Sequence, residues 1–111
     1  MTDFNSQLGL RPGAEPASVV LDTRDDHFVA PDTVHFAVLT TMAEVAAARA
    51  VAAPVVPASV QVQLMSRARG GRLTAHGKVL KRGRRLAFAE GEVCQDDRLV
   101  AKATITFALL G

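Results

Sequence analysis

The chain has 111 residues, 49% hydrophobic and 22% charged, with a formal net charge of +2. That is the length of one domain with one modest core, and the composition of a soluble globular protein. Cys94 is the single cysteine and the three histidines are far apart; this excludes an intrachain disulfide and leads us to expect a reducing, cytoplasmic setting with no metal and no cofactor.

Residues 1–16 are polar and broken by Pro12, Gly13 and Pro16. They have neither the basic start nor the apolar centre of a signal peptide, and they read as an N-terminal arm, frayed or folded into a short helical turn. Residues 17–111 read as a single domain. Its first strand runs through Val19, Val20 and Leu21, and Arg24 to Pro31 then lead to the stretch that organises the chain.

That stretch is Thr33 to Ala53, TVHFAVLTTMAEVAAARAVAA. Pro31 discourages an earlier helix start, Thr33 is a good N-cap, and Pro54 and Pro57 end the run. Between Phe36 and Ala53 only Glu44 and Arg49 are charged, which predicts a helix buried on nearly all sides. The same two charges argue against a membrane span, and no membrane partner is expected. Val38, Leu39, Met42 and Arg49 cluster opposite Glu44. Thr40, Thr41, Ala47 and Ala48 stand three or four residues from it and share its face. An unpaired buried carboxylate is costly and its pKa rises. Glu44 is therefore either satisfied, by Thr40, Thr41 or an arginine across an interface, or functional.

After Pro57 the hydropathy period changes to two. Val60, Val62 and Leu64 mark a half-buried strand, and Gly70-Gly71 a turn. Leu73, Ala75, Gly77 and Val79 mark the next strand, closed by a turn at Lys81 to Arg84. Arg85 to Gln95 follow with a less regular pattern and turn at Asp96-Asp97. Leu99, Ala101, Ala103, Ile105 and Phe107 alternate most cleanly. These last four strands are expected to form an antiparallel meander. The fold class is then α+β: an antiparallel sheet of five or so strands wrapped round one long central helix. One small core leaves the edges of such a sheet uncovered, so a dimer or higher oligomer is expected. His76 falls on the surface side of its strand. Arg67 to Arg85 form a basic block that either meets a polyanion or solvates loop tips. Nucleic acid is not expected as a partner, because the chain has no Trp or Tyr for base stacking.

Several stretches carry a likeness. His35 is followed nine residues later by Glu44, in HFAVLTTMAE. SVQVQLMSRARGGRL is an apolar strand followed by Ala68 and Gly71-Arg72-Leu73. Lys81-Arg82-Gly83-Arg84 is a Gly-Arg turn, and DRLVAKATITF is the closing strand. Over roughly residues 17 to 109 this resembles the hotdog-fold acyl-CoA thioesterase superfamily, in particular its PaaI-like, 4-hydroxybenzoyl-CoA thioesterase-type members. Their hallmark is His-Gly-Gly opening the central helix, with Asp or Glu nine residues after the His. Here Phe36 and Ala37 replace both glycines. Val29 and Asp32 stand where the family often has Asn and Gly. The family's frequent arginine after the second strand falls on Ser66, with Arg67 one place later.

The resemblance implies hydrolysis of acyl-CoA or another acyl thioester, by a homodimer or homotetramer with active sites at the interface. Glu44 is then general base or nucleophile. The backbone N–H groups of Phe36 and Ala37, at a helix N-terminus, polarise the thioester carbonyl. They lie about two turns from Glu44, too far to share one carbonyl unless they come from different subunits. His35 either positions the site or hydrogen-bonds loop backbone. Thr40 or Thr41 orients Glu44 or its water. Arg67, Arg82 and Arg84 are the candidates for the phosphates of coenzyme A, which enters as part of the substrate. Phe36, Val38, Met42 and Phe88 are candidates for an acyl pocket. With its glycines replaced, the chain has a differently shaped pocket or is a non-catalytic acyl-binding member. The remaining alternative is a hotdog hydratase or dehydratase, which pairs a loop histidine with a helix acid. His27-Phe28 resembles its start, without the Pro-Gly that follows there.

Overall fold

A computed structural model describes residues 3–111. In chain order the elements are α1 (Phe4–Leu8), β1 (Arg11–Pro12), β2 (Ser18–Asp22), β3 (Phe28–Ala30), β4 (Thr33–Val34), α2 (Phe36–Val51), β5 (Val55–Leu64), β6 (Arg72–Arg82), β7 (Leu86–Gln95) and β8 (Arg98–Leu109). A six-stranded sheet has the order β1-β2-β6-β7-β8-β5, and every neighbouring pair is antiparallel. The long helix α2 lies on one face of it, mainly over β6 and β7.

Apolar residues of α2 on that side, among them Val38, Leu39, Met42, Ala46 and Val51, are buried against Leu21, Leu73, Val93, Ile105 and Phe107 of the sheet. Helix and sheet meet closely at one point. Gly77 of β6 and Gly91 of β7 face each other across the ladder. A Cβ on Gly77 would overlap the Ala46 carbonyl, and one on Gly91 the Ala43 carbonyl. The helix backbone rests on this glycine pair, with only alanines between.

The helix begins later than its sequence suggests. Thr33 is not its N-cap: Thr33 and Val34 are extended and pair with β3, and the Thr33 hydroxyl donates to the Pro31 carbonyl at 3.0 Å. Asp32 sets this course. It takes a left-handed conformation with φ 48°, and its carboxylate accepts from the Gly70 N–H at 2.8 Å and from Arg69 at 3.2 Å. Val34 then donates to the Ala68 carbonyl at 2.9 Å, so the segment stays extended until His35, which caps the helix instead.

The expected four-strand meander is also revised. Only β6, β7 and β8 form one. β5 pairs with β8 along its length, from Val55 opposite Leu109 to Leu64 opposite Ala101. The place beside β6 belongs to β2. Residues 65–71 carry the chain across the end of the sheet, tied down by Met65 N–H to the Val100 carbonyl at 2.9 Å, and by the Gln95 amide, which both accepts from and donates to the Arg69 backbone.

This topology leaves β5 at the rim, where Val55 and Val62 pack partly against the core and the rest of the strand is exposed. Val60 and Leu64 share the helix-facing side with Ile105 and Ala101, yet they are 43% and 55% exposed. The expected half-burial of β5 is not reached within one chain, because α2 sits over β6 and β7. The helix is likewise open along the flank of Ala37, Thr40, Thr41, Glu44 and Ala48, rather than buried on nearly all sides. Arg49 is exposed and does not share the buried side with Val38, Leu39 and Met42; its Nε donates to the Pro16 carbonyl at 3.2 Å. Among the described residues no helix is long and apolar enough to cross a membrane.

Candidate active site

The first turn of a helix has N–H groups without intrahelical partners, and α2 disposes of them one by one. Nδ1 of His35 accepts from the Ala37 N–H at 2.9 Å. Val38 N–H donates to the His35 carbonyl at 3.0 Å, and His35 N–H to the His27 carbonyl at 2.9 Å. Among the described residues the Phe36 N–H is left without an acceptor. With Nδ1 accepting, neutral His35 carries its proton on Nε2, a second donor at the helix start. The expectation of two backbone donors here thus becomes one, because Ala37 is engaged by the cap.

Glu44 is half-buried on the open flank of α2. Burial pushes its carboxyl above the ordinary glutamate range, and among the described residues no cation or hydrogen-bond donor opposes the shift. The threonines beside it do not satisfy it. The Thr40 hydroxyl donates to the Phe36 carbonyl at 2.9 Å, and the Thr41 hydroxyl to the Ala37 carbonyl at 2.8 Å. Their oxygens can still accept, from water or from a protonated carboxyl.

Beside the helix start lies a cavity of about 320 Å³, between Val34, Phe36 and Leu39 on one side and residues 64–68 on the other. The Phe36 ring stacks on His35 with centroids 4.7 Å apart. Arg67 lines this cavity. The sequence did not point to Leu39, Leu64, Met65 or Ala68 as lining residues. Of the acyl-pocket candidates, Phe36 is in place. Val38 and Met42 are core residues, and Phe88 is on the opposite face of the sheet, opposite Thr106.

The other candidates are dispersed. Nη1 of Arg82 donates to the Val51 carbonyl at 2.7 Å, at the far end of α2 from Phe36, and Arg84 is exposed on the turn that follows β6. His27 is buried, its Nδ1 accepting from the Arg24 N–H at 3.0 Å and its Nε2 donating to the Leu8 carbonyl at 2.8 Å. Both ring nitrogens serve the backbone, and neither is free for the acid–base role of a hydratase histidine.

A long helix laid across an antiparallel sheet in this strand order is the hotdog fold of the thioesterase superfamily. The chain belongs to the acyl-CoA thioesterase family: residues 24–108 match its acyl-CoA thioesterase N-terminal domain. No curated protein matches the chain. Among solved structures, the TT0310 protein from Thermus thermophilus is 30% identical with a TM-score of 0.86, over 99% of this chain and 100% of that one. A point mutant of the phenylacetic acid degradation protein PaaI, also from Thermus thermophilus, is 29% identical with a TM-score of 0.86, over 96% and 98%. A candidate esterase from Mycobacterium tuberculosis is 25% identical with a TM-score of 0.86, over 96% and 95%.

Proposed function

We propose that the chain hydrolyses acyl-CoA or a similar acyl thioester as a homodimer joined along β5, each site combining the Phe36 N–H of one protomer with Glu44 of the other. The observation that carries this is Glu44 itself. It is a carboxylate, half-buried, that nothing among the described residues compensates, on the same helix as an N–H without an acceptor among them. Within one helix the two are eight residues apart, about 12 Å along the axis, so one carbonyl cannot meet both. A two-fold partner supplies the missing half. The unpaired rim of β5 and its uncovered valines are the surface for such a partner.

The thioester oxygen sits at the Phe36 N–H, with His35 Nε2–H as a further donor, where developing negative charge is stabilised by the helix start. Glu44 takes a proton from water as the water attacks the carbonyl carbon. Alternatively the carboxylate attacks directly, and water then cleaves the mixed anhydride. In both routes the C–S bond breaks, and the products are a carboxylic acid and the coenzyme A thiol. Thr41 and Thr40 accept from the attacking water or the protonated Glu44. Arg67 meets the phosphate-bearing end beside the Phe36 cavity, and Arg82 and Arg84 can reach it only from the partner protomer. The reaction takes place in solution without a cofactor.

The test is release of free thiol from a panel of short, long and aromatic acyl-CoAs by the protein and by a Glu44→Ala variant of matched fold and mass. Hydrolysis lost with Glu44 supports the assignment. Hydrolysis that survives removes Glu44 from the mechanism. No hydrolysis by either protein leaves an acyl-binding function in its place, the reading that the replaced glycines favour.

A further inference from the structure

Phe36 is 58% exposed, and a large ring so exposed at a helix start is not explained by the core. It is nevertheless held. Its face lies against His35, with centroids 4.7 Å apart and ring planes at 27°, and His35 is itself fixed by the hydrogen bond from Ala37 N–H. Opposite it the cavity is walled by Leu64 and Met65, and its floor includes the buried Leu39 and Ala68. The cavity is an open groove of about 320 Å³, at the lower end of the ~300–1,000 Å³ typical of small-molecule sites.

One residue thus supplies both the donor and a wall. A carbonyl oxygen bound at the Phe36 N–H would bring the acyl group to the cavity that the same residue lines. Resting on the thioesterase reading above, we propose that the Phe36 side chain is the acyl-selecting wall of this site. It admits short to medium, unbranched aliphatic acyl groups and excludes groups that are branched or aromatic next to the carbonyl. A chain with one substituent-free carbon after another passes between Phe36 and Leu64. An aryl ring attached at the carbonyl meets the Phe36 ring, which His35 backs on its other face.

The experiment compares kcat/KM for butyryl-, hexanoyl- and benzoyl-CoA in the unaltered protein and in Phe36→Ala, which keeps the N–H and removes the ring. The expected result is a hexanoyl-to-benzoyl ratio that falls at least tenfold in Phe36→Ala, mainly through a gain on benzoyl-CoA; steric discrimination in apolar pockets is worth ~10–200-fold. Leu64→Phe narrows the same space from the opposite wall, and the hexanoyl-to-butyryl ratio should fall. An unchanged ratio in Phe36→Ala, or a loss shared equally by all three substrates, overturns the proposal, and so does a Leu64→Phe variant with unaltered preference. Calorimetric affinities for the three acyl-CoAs, measured in the Glu44→Ala background with and without Phe36→Ala, separate this from the reaction itself. A shifted affinity ratio, together with no hydrolysis by the unaltered protein, would sustain the wall while refuting the thioesterase reading.

Discussion

The imidazole Nδ1 of His35 accepts the backbone N–H of Ala37 at 2.9 Å, and this bond decides which amide at the start of α2 is left for a ligand. In a chain with two glycines after the histidine, either amide is a candidate donor. Here Ala37 is spoken for and Phe36 is not. Phe36 is the first residue of the helix, where proline is well tolerated because the N–H it lacks makes no helical bond. His35 already has the extended conformation, φ −63° and ψ 139°, that a following proline requires. Phe36→Pro should therefore fold, with a thermal midpoint close to that of Phe36→Ala, and lose about 10²–10³-fold in kcat. Circular dichroism and the thiol-release assay check the two halves of this prediction.

The pH dependence follows from the burial of Glu44. Its carboxyl is raised in the folded chain, so the folded state holds the proton more tightly than the unfolded one. The ionised form thus costs stability, in full above the raised value; the cost shrinks as pH falls through it and is gone below the ordinary glutamate range. Glu44→Gln should stabilise the protein at neutral pH and leave it unchanged at acid pH, by less than about 1 kcal/mol since the group is half in water. The acid limb of kcat/KM should lie above the usual glutamate range, because the protonated form is inactive. Thermal midpoints and rate profiles across pH 4 to 8, taken at roughly half-unit steps, measure both effects.

The glycine pair under the helix makes a sharp structural prediction. Gly77→Ala puts a methyl group into the Ala46 carbonyl, and the obstacle is backbone. The helix must lift or the strand must bend, at a cost of about 3 kcal/mol or more. Gly83→Ala, on the turn after β6, meets its nearest atom at 3.4 Å and is the control. Urea unfolding of the two variants should differ by that amount.

The rim strand carries the prediction about assembly. Val60 points to the helix side of β5 yet is 43% exposed in the single chain. Val60→Lys should leave an isolated chain almost untouched while placing a charge in the proposed dimer contact. Light scattering should show the mass falling from dimer towards monomer. A variant that keeps its mass would place the contact elsewhere.

What was legible in the sequence tracked side-chain size. In β8, Ile105 and Phe107 are large and the inward residues Ala101, Ala103, Ile105 and Phe107 are buried, so the alternation stood out. β7 is equally regular: Ala87, Ala89, Gly91, Val93 and Gln95 are all buried. Its inward residues are small or polar, because the helix lies close above them, and its pattern looked irregular. Periodicity reports which face of a strand is apolar but not which strand is its neighbour, and that is why β5 was placed beside β6 rather than β8. The late start of α2 depends on Asp32, whose partners Arg69 and Gly70 are more than thirty residues away. Glu44 was conspicuous as a lone acid in an apolar helix. The cavity was not, because its walls come from two segments that only the fold brings together.

In the proposed dimer, one site draws Glu44 from one protomer and the Phe36 N–H from the other. The most direct test of this is to mix Glu44→Ala with Phe36→Pro under conditions that exchange subunits, and to assay thiol release. In a shared site, each heterodimer regains one intact pair, Glu44 from the proline variant and the Phe36 amide from the alanine variant. The mixture should recover about a quarter of the unaltered activity, since half of the dimers are mixed and each has one of two sites restored. If both groups came from the same protomer, no mixed dimer would contain an intact site. A mixture as inactive as its two components would then contradict the account.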